Sequence, residues 1–261
     1  MAAALMLLTS TAGAQGAKPL KKCPLDAVVS GTVCMDKYEA SVWRVSDPAG
    51  VNKGLVKKIQ QGKATAADLA AGGATQLGAA SDDYAPCADS GQNCTDDVYA
   101  VSLPGVTPSR FISWFQAQAA CENARKRLPS NAEWQAAVAG TPDPGPDDGV
   151  SDCNTANTST LTATGSRSNC VSARGAFDMV GNVIEWVADW VPRSTACGTW
   201  TAGVSPTGDS QCLAGAATTG EPGGLLRGGD FDDGTDAGPL SVFGSFVLSN
   251  AGSSVGSRCA R

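Results

Sequence analysis

The chain has 261 residues, 42% of them hydrophobic, which is enough for one large core or two modest ones and excludes a disordered tail or a mini-protein. Charged residues make up 17%, with 25 acidic against 19 basic and a net charge of −6, so the basic stripe that holds nucleic acid or an anionic membrane is missing. There is no histidine, which removes Ser-His-Asp and Cys-His catalysis, His-ligated zinc and the two-His-one-carboxylate iron centre.

In chain order, residues 1–14 read as a signal peptide: Ala2 to Ala14 are uncharged and apolar to small, and Ala12-Gly13-Ala14 before Gln15 fits a small-residue cleavage site. The basic n-region is missing, as in a truncated leader. No lipid-accepting Cys follows, and no later apolar run reaches membrane-spanning length. The expected location is therefore outside the cytoplasm: periplasmic, cell-surface or extracellular. One domain is expected over 23–261. Residues 28–45 read as strands through Val28, Val29, Val33, Met35, Tyr38 and Val42, with Gly31 as a turn. From about 47 to 104 the composition shifts to Gly, Ala, Asp and Lys, with a weak helical stretch near Leu55 to Ala71, and this reads as an insertion outside the core.

Two helices follow. Ser113 and Gln116 form a capping box ahead of the apolar stripe Trp114, Ala117, Cys121 and Ala124, with a stop expected at Leu128-Pro129. Ser130 and Glu133 open a second helix through Trp134 and Val138 that Gly140 ends. Residues 141–174 are loop-like. Beyond them Phe177, Met179, Val180, Val183, Trp186, Val187 and Trp190 crowd together, so the core is nearby, and Trp114, Trp134, Trp186 and Trp190 read as core. Leu225 to Gly229 reads as a short strand turning at glycines, and the tail to Arg261 as strands and exposed loops.

The ten cysteines show no CxxC pair, and an even, scattered set in loop-like sequence reads as five disulfides in an oxidising compartment. Proximity pairs Cys23 with Cys34, Cys87 with Cys94, Cys153 with Cys170 and Cys197 with Cys212. Cys121 and Cys259 are left to close a long loop, and the connectivity stays open at this level.

Four segments carry a resemblance: Cys34 to Glu39, Ser113 to Trp134, Gly175 to Trp186, and Leu226-Arg227-Gly228-Gly229 with Gly256 to Ala260. In order and spacing they resemble the formylglycine-generating-enzyme, or sulfatase-modifying-factor, family. The resemblance implies an α+β, C-type-lectin-like fold: two helices beside small, mostly antiparallel sheets, with long disulfide-stapled loops. It also implies a Cys121–Cys259 bond and a structural calcium near Asn182 and Glu185, although hydrogen bonding to loop amides is the plainer use of Asp178, Asn182 and Glu185. The family's oxidases bind copper through two cysteines after the Arg-Gly-Gly motif, and here those places hold Asp233 and Gly238. Catalysis is therefore not expected, and no other cofactor is implied.

Residues 225–261 further resemble the variable region of diversity-generating retroelement target proteins, which use this scaffold. Such systems diversify Asn codons at adenines, a change that cannot yield Lys, Glu, Gln, Met or Trp. Residues 230–254 contain none of these five types, whereas the rest of the chain holds 9 Lys, 5 Glu, 9 Gln, 4 Met and 6 Trp. The expected contact residues are Asp230, Phe231, Asp232, Asp233, Asp236, Phe243, Ser245, Phe246, Val247, Ser253 and Ser254, an aromatic and small-polar set suited to recognition. The expected partner is a protein or other surface ligand. The other reading keeps the phenylalanines as core, the aspartates as solvated turns, and the chain as a family member with a lost copper site and a different enzymatic, glycan- or peptide-binding role.

Overall fold

A computed structural model describes residues 20, 22–95, 97–143, 147–156 and 160–261; the expected leader at 1–14 lies outside the described residues. Strands β1 (Ala27–Ser30) and β2 (Val33–Asp36) form a hairpin whose turn uses Gly31 at φ 61. Strand β3 (Ala40–Arg44) is the centre of a three-stranded antiparallel sheet between β4 (Thr75–Leu77) and β5 (Val98–Ser102). Helices α1 (Lys53–Gln60) and α2 (Ala66–Ala71) lie in the connection.

Helices α3 (Trp114–Asn123) and α4 (Asn131–Val138) start at the expected serines. In each, the Ser hydroxyl accepts from the third helical amide while the Gln116 or Glu133 side chain accepts from the serine's own amide. Helix α3 stops at Asn123, short of the expected Leu128-Pro129, because Arg125 takes φ 56 and Lys126 turns into the interior.

A six-stranded sheet follows, built from β6 (Ile184–Val191), β7 (Ala196–Thr199), β8 (Ser210–Ala214), β9 (Gly223–Arg227), β10 (Val242–Val247) and β11 (Val255–Ser257). Its order is β11-β6-β9-β10-β8-β7, with β11–β6 and β10–β8 parallel and the other pairs antiparallel. The Cys197–Cys212 segment, expected as a stapled loop, is thus the β7–β8 pair.

Period-two alternation sends Trp186 and Leu226 to one face of this sheet, against Ile112, Ala117 and Ala120 near α3. It sends Val187 and Leu225 to the other, against Trp134, Ala137 and Met179. Segment 47–104 is not outside the core: Leu55, Ile59 and Leu69 pack with Tyr99, Val101 and Leu103 in a third cluster, and β5 is buried throughout. Its Gly, Ala and Lys content hid this, because the apolar face of α1 rests on only three residues, Leu55, Val56 and Ile59. All ten cysteines are bridged, in the pairs 23–34, 87–94, 121–259, 153–170 and 197–212. Among the described residues no helix is long and apolar enough to cross a membrane.

Candidate functional site

The approach to β6 is bent at Asp178, Gly181 and Asn182, all at positive φ. Behind it lies a buried polar frame. Arg258 Nε donates to both Glu185 oxygens at 2.8 Å, and Trp134 Nε1 donates to Glu185 Oε2 at 2.7 Å. Glu39 accepts from Asn182 Nδ2 at 2.6 Å and from the Val183 amide at 3.0 Å. Burial, then the neighbouring Asp178 and Glu185 charges, hold Glu39 well above the usual carboxylate range. Burial pushes Asp178 up to about 6.

These contacts bear on calcium. A guanidinium already neutralises Glu185, and Asn182 Oδ1 accepts from Asn154 and from the Thr162 amide. As arranged, Asn182 and Glu185 do not fit a calcium ion, which takes six to eight oxygen ligands; they are fastenings of the fold.

On this frame, residues 223–229 and 255–260 are buried, while the stretch between them reaches solvent. Loop 228–241 leaves β9 through Gly228 and Gly229, at φ 91 and 76, where a Cβ on Gly228 would approach the Met179 carbonyl to 2.7 Å. The Phe231 amide donates to Asn182 O, and on the other side of β6 the Ile184 amide donates to Ser254 O. The 230–236 and 253–254 segments therefore flank the same three residues, 182–184.

Asp232, Asp236 and Ser253 are exposed, and Asp230, Asp233, Phe243, Ser245, Phe246, Val247 and Ser254 are half-buried. Phe231 is the exception: at 9% exposure it belongs to the scaffold and not to the contact surface, its amide tied to Asn182. Asp233 has a local structural task, accepting from the Asp230 amide at 2.9 Å. Burial, then the Asp230 charge, pushes its carboxyl up to about 6.

The register of β10 places its phenylalanines. Phe243 is opposite Leu226, which is opposite Trp186; Phe246 is opposite Gly224, which is opposite Trp190. Opposed residues share a face, so Trp190 and Phe246 stand on either side of Gly224. Trp190 is 50% exposed and meets Trp114 edge-on at 5.1 Å and Phe115 at 6.2 Å. Trp134 and Trp186 are core as expected, whereas Trp190 is a surface residue and Trp114 is half-buried. The sequence reading missed this fixed aromatic group beside the β10 phenylalanines. The available signal was position: Trp190 has the facing of Trp186 but sits at the far end of the strand, where only the first residues of α3, Trp114 and Phe115, partly cover it.

Residues 59–261 match the family model for the sulfatase-modifying factor enzyme 1-like domain. The chain belongs to this family. Among solved structures, the Major Tropism Determinant M1 variant is similar at 16% identity and a TM-score of 0.51, covering 93% of this chain and 54% of that one. The U1 variant is similar at 17% identity and a TM-score of 0.50, with the same coverage. At such identity the likeness is one of fold, an α+β, C-type-lectin-like architecture, and this chain spans about half the length of those determinants. No curated protein matches it.

In this sulfatase-modifying factor-like chain, the two places where the resemblance puts copper-binding cysteines hold Asp233 and Gly238, so neither has a thiol, and Gly238 has no room for one. A Cβ at Gly238 would run into the Asp209 carboxylate, which accepts from the Leu240 amide at 2.7 Å and the Thr207 hydroxyl at 3.0 Å. No free thiol remains to substitute for them.

Proposed function

We propose that this chain is an exported ligand-binding protein, the variable protein of a diversity-generating retroelement, and that binding rather than catalysis is its task. One observation carries the reading. Between two buried scaffold stretches, residues 230–254 hold the exposed positions and contain none of the five residue types that adenine changes in Asn codons cannot produce. Half-buried Phe243 and Phe246 are apolar anchors, exposed Asp232, Asp236 and Ser253 are polar contacts, and the fixed Trp190 borders them. The partner is a protein or another surface ligand. Five disulfides support a periplasmic, cell-surface or extracellular location. The neighbourhood of the gene tests the reading: a near-identical, Asn-codon-rich repeat and a reverse-transcriptase gene are expected there, and the absence of both contradicts it.

The family match over 59–261 favours a second reading, an enzyme-derived protein with a different activity or a glycan- or peptide-binding role. Copper titration and a peptide-cysteine oxidation assay separate the two. The binding reading expects no copper-dependent oxidation by the natural chain, and turnover would overturn it.

A further inference from the structure

A cleft of about 380 Å3 lies between the β1–β2 hairpin and the turn joining α1 to α2, walled by Leu25, Lys37, Tyr38, Lys63, Ser102 and Pro104. Its charged side chains are Lys37, Lys63 and Asp26. Lys37 Nζ sits 5.5 Å from the Tyr38 ring centroid and 5.6 Å from that of Phe177, two rings stacked 5.3 Å apart. The rings hold this ammonium in place without neutralising it. Among the described residues neither Lys37 nor Lys63 has a carboxylate partner; Lys63 donates only to Gln61 Oε1, at 3.2 Å.

Ser102, 3% exposed, accepts from the Tyr38 amide at 3.0 Å and keeps its own hydroxyl hydrogen for another acceptor. The cleft's one carboxylate, Asp26, is already engaged by Lys126 and Arg261, each at 3.0 Å. A net-acidic protein thus has a recess with two uncompensated ammonium groups, a buried hydroxyl donor and apolar walls.

We propose that this cleft binds a small organic anion. Its carboxylate or phosphate lies between Lys37 and Lys63 and takes the Ser102 hydroxyl, while its apolar part rests on Leu103 and Pro104. Charge-assisted donors of this kind recognise an anionic acceptor, and a neutral analogue leaves both ammonium groups uncompensated. The proposal is independent of the C-terminal face.

Calorimetric titration of the full chain with benzoate, phenyl phosphate and benzyl alcohol tests it. At least one of the two anions is expected to bind saturably at one site, the tighter one naming the head group, with no saturable binding of the alcohol. Lys37→Met is expected to weaken the anion by about tenfold, while Lys37→Arg, which keeps the charge over the rings, holds it within about threefold. Lys63→Met, at an exposed position that leaves the fold unchanged, is expected to weaken it by about threefold or more. Absence of saturable binding by both anions, equal binding of the alcohol, or unchanged affinity in both methionine variants overturns the proposal.

Discussion

Arg258 closes on Glu185 with its Nε 2.8 Å from both carboxylate oxygens and its Nη2 2.6 Å from Oε1, and neither side chain is more than 1% exposed. The pair joins the end of the C-terminal segment to the strand on which the proposed binding face is built. Arg258→Met leaves Glu185 charged, buried and held only by Trp134, so a loss of about 3–5 kcal/mol is expected in urea unfolding. A loss below about 1 kcal/mol would remove the pair from the fastenings of the fold.

Stability should decline as pH rises from about 4 to 6. Burial raises Asp36, Asp178 and Asp233 to about 6 and moves Glu39 in the same direction. In that window the folded chain keeps protons that the unfolded chain has released, so this contribution is full below the unfolded values and is lost as pH passes the folded ones. Asp26 and Glu133 are lowered and act oppositely, their contribution being lost below about pH 4. Urea midpoints should therefore be higher at pH 4.5 than at pH 7, and Asp233→Asn should flatten the difference. A midpoint that climbs steadily from pH 4.5 to 7 would contradict the sign.

Cys121–Cys259 spans 138 residues, the longest separation among the five bridges, and ties α3 to the last segment. Replacing both cysteines with alanine is expected to cost about 4–5 kcal/mol from loop closure in the unfolded chain. Loss of the Cys87–Cys94 bridge, with a separation of 7, should cost less. Equal losses in thermal unfolding would contradict the loop-length argument.

Position on the frame should also govern tolerance. Asp232→Ser, Asp236→Ser and Ser253→Thr lie at exposed sites and are expected to change stability by less than about 0.5 kcal/mol each. Phe231→Ala, nine-tenths buried, should cost about 2–4 kcal/mol. Comparable losses at all four positions would remove the division between scaffold and face.

What the residues disclosed in advance was local. The Ser113–Gln116 and Ser130–Glu133 boxes place both helix starts because each bond spans three residues. The close cystines were readable for the same reason. The end of α3 was not, because Lys126 leaves the helix to reach Asp36, ninety positions earlier, at 2.9 Å. Nor was the role of segment 47–104, whose strand β5 becomes core only by pairing with β3. At the candidate face, composition marked 230–254 as unusual, but only strand register shows that Phe246 and Trp190 stand on either side of Gly224, and only the folded loop shows that Phe231 is buried.

Deep sequencing of this coding segment across a population of its source tests the central claim most directly. The account predicts substitutions concentrated in codons for exposed and half-buried residues within 230–254, at the first two bases of Asn-type codons, with 223–229 and 255–260 constant. Changes spread evenly along the chain, or Lys, Glu, Gln, Met and Trp arising freely within 230–254, would contradict it.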